Sequence, residues 1–307
     1  MDGLILVDKP QDLTSHDIIL RIRKSLNFKK IGHFGTLDPL ATGLLLVAVG
    51  KATRLFPFFS KQDKGYEGRI RLGFSTDTYD CLGKPSSAEN RDYPDRKKIL
   101  KFLKQFKGEI QQIPPPFSAK KYRGKPLYKL AREKKEIPLK PSQVIIHSFQ
   151  LTRYDPPFLD FKVKCSSGTY IRSIAHDLGQ SLGCGAHLQQ LIRTEVGKFR
   201  LKEGLSLKNI EELVEKGEIS SFLIPLESLL SEFPKIILSD KGTLLARNGR
   251  KIPLESVLKI LPGELSLIPL PEEKETIFRL FSLEGKLLAL AKRDPSKMHF
   301  SPFLVIN

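Results

Sequence analysis

Asp38 is the residue whose surroundings most suggest chemistry. It lies in Gly32-His33-Phe34-Gly35-Thr36-Leu37-Asp38-Pro39-Leu40-Ala41-Thr42-Gly43, twelve residues holding three glycines, one proline and one carboxylate just before the apolar run Leu44–Val49. Glycine permits backbone conformations denied to other residues, and the proline keeps Asp38 out of helical geometry, so the spacing predicts a shaped loop that can hold a carboxylate rigidly. Such a group is ionised at neutral pH and can act as nucleophile or base. An Asp-Pro pair equally suits a turn in which the aspartate bonds its own backbone, and spacing alone leaves both readings open.

A second stretch could meet a polyanion. The chain reads as loop-like between Gln111 and Lys140, with Pro114-Pro115-Pro116 followed by eight Lys or Arg in residues 120–135 against one acid, Glu133. Tyr122 and Tyr128 fall inside the run, and cations interleaved with rings suit nucleic acid, the charges following phosphates and the rings offering stacking faces. A solvated basic loop explains the charges as well, but Leu127, Leu130 and Ala131 suggest a short amphipathic helix that docks. His176-Asp177 could begin a metal site, yet it sits inside an apolar helical pattern without companion ligands. Asp77 and Asp80, in Ser75-Thr76-Asp77-Thr78-Tyr79-Asp80, are expected to lie outside the reactive centre.

The elements that must position these groups follow from periodicity. Strands are expected at Leu4–Val7, Leu44–Val49 and Glu67–Phe74, and where Phe161, Val163 and Cys165 alternate with Lys162 and Lys164. Helices are expected where Ile18, Ile19, Ile22 and Leu26 follow Thr14 or Ser15, where Ile99, Leu100, Leu103 and Phe106 follow Asp95, and at Ile171, Ile174, Leu178 and Leu182. A further helix is read around Ile210–Val214. Strands and helices alternate too irregularly for a doubly wound sheet, and GxGxxG and GxxxxGK[ST] are both absent. A boundary is expected at Glu232-Phe233-Pro234, dividing the chain into 1–233 and 234–307. The second part reads as a compact barrel, with Phe278–Leu283 and Lys286–Ala291 flanking a Glu284-Gly285 turn and a last strand at Phe303–Ile306.

Composition narrows the partner class. The 51 Lys and Arg against 34 Asp and Glu leave a net charge of +17 on 307 residues, a surplus that attracts nucleic acid through phosphate neutralisation. The excess is spread over both parts, with 12 basic and 8 acidic residues in 235–307. Cys81, Cys165 and Cys184 form no CxxC pair, which suggests neither a disulfide framework nor a cysteine zinc site and fits a reducing cytoplasm. The segment MDGLILVDKP lacks the pattern of a secretion signal, and no apolar run approaches the roughly 18 residues of a membrane span, so a cytoplasmic protein without membrane attachment is expected.

The segment GHFGTLDPLATG resembles the catalytic loop of the TruB family of tRNA pseudouridine synthases. The resemblance continues through Leu4-Ile5-Leu6-Val7-Asp8-Lys9-Pro10 with Thr14-Ser15, Lys64-Gly65-Tyr66-Glu67, and Phe117-Ser118-Ala119-Lys120 with Leu127-Tyr128 and Ala131-Arg132-Glu133. It extends to Gly168-Thr169-Tyr170-Ile171-Arg172-Ser173 and to Ala186-His187-Leu188 through Leu191-Ile192-Arg193-Thr194, so that ordered motifs cover most of residues 3–197. Asp12 stands where the family usually has glycine, and Phe34 and Thr36 vary the loop.

The resemblance implies a mixed α+β pseudouridine synthase fold around a largely antiparallel sheet, an RNA-gripping insertion at about 111–140, and a C-terminal PUA-like RNA-binding domain. It implies an enzyme converting uridine to pseudouridine, at position 55 in the T loop of tRNA, with no cofactor, no metal and no obligatory protein partner; a monomer is the default expectation. Asp38 would act on the ribose or the uracil, and Arg172 would keep it charged and oriented. Tyr66 would stack on the flipped base, its hydroxyl serving in proton removal from carbon 5. Tyr170 would pack nearby and Leu191 would form an apolar floor. His33 would fill the stack the uridine leaves, Lys9 would contact the site or the RNA backbone, and Lys120, Lys121, Arg123 and Lys125 would grip RNA. Two other readings compete: a non-catalytic RNA-binding module, and a guide-RNA-dependent synthase subunit that needs partner proteins.

Overall fold

A computed structural model describes residues 1–117, 140–264, 276–293 and 298–306, together with the backbone of 121–122 and 125–126. The chain runs β1 (Gly3–Lys9), α1 (Ser15–Ser25), β2 (Ile31–His33), β3 (Thr42–Val49), a 3-10 turn over Gly50–Leu55, α2 (Phe56–Phe59), β4 (Lys64–Leu72), α3 (Arg96–Gln105) and β5 (Gly108–Gln112). A short pair, β6 (Lys121–Tyr122) and β7 (Lys125–Pro126), precedes β8 (Ser142–Asp155), β9 (Phe158–Cys165), α4 (Ile171–Leu182) and β10 (Ala186–Val196). Next come β11 (Phe199–Arg200), β12 (Leu205–Ser206), α5 (Leu207–Glu215) and β13 (Ile224–Pro225). The remainder is β14 (Lys235–Leu238), α6 (Asp240–Arg247), β15 (Ile252–Pro253), β16 (Val257–Leu261), β17 (Ile277–Phe281), β18 (Leu287–Arg293) and β19 (His299–Val305).

The runs Leu4–Val7 and Leu44–Val49 are apolar at every position because β1 and β3 are covered on both faces. Ile5, Val7, Leu45 and Val47 pack with Ile18, Ile19 and Ile22 of α1. Leu4, Leu6, Leu44 and Leu46 pack on the opposite side with Phe34, Phe59 and Phe199. Helix α1 starts where expected, since Thr14 caps the backbone of Asp17 while the Asp17 carboxylate accepts from the Thr14 backbone. Asp95 caps α3 from one side only, its carboxylate accepting from the Lys98 N–H.

The large sheet has the order β12-β1-β3-β10-β4-β9-β8-β5. It is largely antiparallel, with parallel pairing at β1–β12 and β3–β10. The β3–β10 seam is short, joining Thr42 to Ile192 and Gly43 to Arg193. Gly43 is required there: its φ is 95°, and a Cβ would stand 2.5 Å from the Arg193 carbonyl oxygen. Beyond the seam, β4 and β9 alternate as expected, with Tyr66, Ile70, Phe161 and Val163 buried. Their outer face carries ion pairs, Glu67 with Lys162 at 2.8 Å and Arg69 with Asp160 at 2.6 Å.

The C-terminal strands form a second sheet of order β15-β19-β18-β17-β14-β16, compatible with the PUA-like domain expected. Ile236, Leu238, Leu280, Ala289 and Phe300 make a core of their own. The boundary after Phe233 is nevertheless bridged, because Phe281, Leu287, Leu290 and Ile306 join the cluster that holds Leu4, Leu6 and Leu44. Among the described residues no helix is long and apolar enough to cross a membrane.

Candidate active site

The loop between β2 and β3 delivers Asp38 to the first turn of α4. Arg172 lies edge-on to the carboxylate, with Nε 2.8 Å from Oδ2 and Nη2 3.2 Å from Oδ1. Nη2 makes the hydrogen bond, and Nε comes within ion-pair distance of the second oxygen without hydrogen-bonding to it. Arg172 is buried and also donates to the carbonyls of Thr78 at 3.1 Å and Phe117 at 2.9 Å, while its Nη1 stands 3.4 Å from Asp80 Oδ2. Burial pushes the Asp38 carboxyl above its usual range, the Arg172 charge works against that, and the neighbouring Asp80 charge adds to the rise. Asp80 is only 4% exposed and part of this cluster, which corrects the expectation that it stands apart; Asp77 is exposed and accepts from the Lys84 backbone.

The other flank of the loop is held by groups that, among the described residues, make no ion pair. Arg193, 1% exposed on β10, donates from Nε to Leu44 O at 2.7 Å, from Nη2 to Gly35 O at 3.0 Å and from Nη1 to Thr36 O at 3.3 Å. Ser15 closes a reciprocal pair with Leu37, accepting from its N–H at 2.8 Å and donating to its carbonyl at 3.2 Å. Lys9 is fully buried, and its ammonium donates to Leu13 O at 2.6 Å, Pro10 O at 2.8 Å and Pro39 O at 3.4 Å. Of the two contacts expected of it, with the site or with the RNA backbone, the first fits: its side chain has no exposed surface here, and the three carbonyls place it under the loop that carries Asp38. Asp12 takes the left-handed conformation, φ 66°, that explains why glycine suits this position, and its N–H donates to Pro39 O at 2.9 Å.

Between these flanks lies a pocket of about 340 Å³ lined by Asp38, Lys64, Tyr66, Tyr170, Arg172, Leu191 and Arg193, among others. Five of the expected residues thus converge. The Tyr66 hydroxyl hydrogen-bonds with the Arg193 guanidinium, and burial pushes its pKa up to about 12, so the phenol is protonated at neutral pH. Tyr170 is fixed by the buried Gln112, whose amide accepts from its N–H at 2.8 Å and donates to its carbonyl at 3.0 Å. His33 is not among the lining residues; it pairs with Val47 in the β2–β3 ladder, and burial lowers its imidazole pKa.

His176 stacks on Tyr79 with ring centroids 3.8 Å apart. Lys120 and Arg123 lie outside the described residues, as do Leu127, Leu130 and Ala131 of the expected docking helix; Lys121 and Lys125 are described only as backbone. Sequence reasoning missed Lys64, Asp80, Gln112 and Arg193. Arg193 and Lys64 stood inside quoted motifs, and a charged residue at an inward strand position was the available signal. Asp80 and Gln112 gave none, because only tertiary contact distinguishes them.

The sheet order and this pocket define a pseudouridine synthase. A chain of a solved Cbf5-Nop10-Gar1 complex superposes with a TM-score of 0.73 at 25% identity, covering 99% of this chain and 85% of that one. The family model for the N-terminal domain of TruB family pseudouridylate synthases matches residues 23–171, and that for the tRNA pseudouridylate synthase B C-terminal domain matches residues 172–231. A tRNA pseudouridine synthase B of Opitutus terrae is 47% identical over 73% of this chain and 93% of its own. One of Solibacter usitatus is 41% identical over 82% of this chain and 86% of its own. The chain belongs to the TruB family of pseudouridine synthases.

Proposed function

We propose that this protein converts uridine to pseudouridine in tRNA, at position 55 of the T loop, as a cytoplasmic enzyme that works as a monomer without guide RNA or partner protein. The observation that carries the reading is the buried Asp38–Arg172 ion pair at the wall of a pocket that can take one flipped base. The names and identity of the relatives support tRNA as substrate, and the net charge of +17 supports binding of a polyanion. The likeness to a chain from a multi-protein complex favours a partner-dependent reading, but at 25% identity it is the more distant of the two kinds of relative.

In this reading Asp38 acts at the ribose, either bonding to C1′ or taking the C2′ proton, and Arg172 holds it ionised and aimed. Tyr66 offers its ring to the flipped uracil. Its hydroxyl, protonated at rest, suits a proton relay from C5 better than service as a free base. Tyr170 and Leu191 complete the walls, Lys9 holds the loop from beneath, and the basic insertion with Lys120, Lys121, Arg123 and Lys125 grips the T arm. The second sheet, residues 234–307, contacts more distant RNA. Incubating the purified chain with an unmodified tRNA transcript and mapping pseudouridine tests the whole. Conversion at position 55 by the protein alone is expected; binding without conversion would leave an RNA-binding module.

A further inference from the structure

Two buried cations line the pocket beside Asp38 without an ion pair to it or to any other carboxylate among the described residues. Arg193 bonds only carbonyls and the Tyr66 hydroxyl. Lys64, 7% exposed, donates to the carbonyls of Gln62 at 2.7 Å and Ser60 at 3.2 Å. Among the described residues, neither makes an ion pair with a carboxylate. Burial, and then the Arg193 charge, lower the Lys64 pKa to about 8, so the free protein bears the cost of holding these like charges together. Such a cost is expected where negative charge arrives during the reaction.

On the reading given above, that charge has a definite origin. Whether Asp38 bonds to C1′ or takes the C2′ proton, the C1′–N1 bond breaks and its electron pair leaves with uracil. The base becomes a monoanion, its charge spread over N1, O2 and O4. After the ring turns, C5 bonds to C1′, releasing Asp38 or recovering the C2′ proton, then the C5 proton is lost and N1 gains one.

We propose that Lys64 is a catalytic residue that directs its remaining N–H at an oxygen of the departing uracil and stabilises that anion. Lys64 and Tyr66 lie two residues apart on β4 and so project to the same face, where Tyr66 meets the base. Arg193 is fixed by the loop carbonyls and supplies field; Lys64, with one of three donors uncommitted, supplies a contact.

The dependence on leaving group tests this. T-arm hairpins carrying uridine or 5-fluorouridine at the target position are followed in single turnover at saturating protein, by loss of the N1-linked nucleoside. Lys64→Met should slow uridine about 100-fold, the loss typical of one removed donor to a developing anion. It should slow 5-fluorouridine far less, because fluorine already stabilises the departing base. Lys64→Arg should retain much of the uridine rate, and Lys64→Gln serves in the same comparison should Lys64→Met not fold. Equal losses on both substrates, or an undiminished uridine rate, would overturn the proposal and leave Lys64 a staple for residues 60–62. Wild-type protein that leaves uridine unchanged would instead overturn the pseudouridine reading.

Discussion

The two flanks of the catalytic loop are held by different chemistry. On the α4 side Arg172 meets two carboxylates and two carbonyls. On the β10 side Arg193 donates to three carbonyls and, among the described residues, forms no ion pair with a carboxylate. Both guanidiniums are almost wholly buried. The first therefore sets the charge state of Asp38, since a paired charge changes the free energy of ionisation directly. The second sets the shape of the loop, since a carbonyl accepts without titrating and constrains backbone alone. A reactive carboxylate needs both, and the fold supplies one from the first turn of α4 and the other from the β3–β10 seam, where Arg193 pairs with Gly43.

Asp38→Asn gives the largest effect. It removes the reactive group and keeps its size, so turnover should fall by at least about 1,000-fold while RNA affinity stays within about a few fold. Single-turnover conversion and filter binding check this; residual turnover near wild type would remove Asp38 from the chemistry.

Substituting each arginine by lysine sharpens the contrast. Arg172→Lys cannot reproduce these guanidinium contacts, and about a 100-fold loss in kcat is expected with a modest change in melting temperature. Arg193→Lys leaves buried carbonyls of Gly35, Thr36 or Leu44 without donors, costing about 1–3 kcal/mol, or roughly 5 °C in Tm, with a smaller loss of kcat. Scanning calorimetry beside kinetics decides it: a thermally silent Arg193→Lys with the greater kinetic loss would reverse the roles assigned to the flanks.

Asp80→Asn probes the charged flank from its far end. The Asp80 charge raises the Asp38 pKa, so neutralising it should lower that pKa. The acid limb of the rate profile, where activity falls as Asp38 protonates, should then move to lower pH. About a tenfold loss of kcat at neutral pH is expected as Arg172 loses one anchor. Asp77→Asn, whose exposed side chain bonds the Lys84 backbone, should leave both rate and profile unchanged. A limb that stays in place would mean Asp80 only supports its own loop.

Much of this was legible in the chain. The apolar runs of β1 and β3, the caps at Thr14 and Asp95 and the alternation in β9 are local patterns, and each appeared where periodicity put it. The loop around Asp38 was legible because three glycines and a proline in twelve residues have few other uses. What escaped was long-range. Lys9 reads as an exposed Lys-Pro turn until Leu13 and Pro39 close over it, and Asp80 reads as a loop acid until Arg172 reaches it across 92 positions of sequence.

The smallest effect is expected at Asp12, which stands beneath the carbonyl-bonded flank. Its φ of 66° is favourable for glycine and tolerated by aspartate, and its side chain is exposed, so what the fold requires of the position is the N–H donated to Pro39 O. Asp12→Gly relieves about 1 kcal/mol of left-handed strain but frees the unfolded chain by a similar amount, so Tm should move by less than about 2 °C and kcat should hold. Asp12→Val keeps the N–H but forces a β-branched residue into the left-handed region. It should cost about 1–2 kcal/mol and loosen Pro39, the residue next to Asp38, lowering kcat several-fold. Melting curves and initial rates for the two variants separate backbone from side chain. A tenfold activity loss in Asp12→Gly would mean that the carboxylate itself matters through its charge near Lys9, and the flank held by carbonyl contacts would then depend on a charge pair after all.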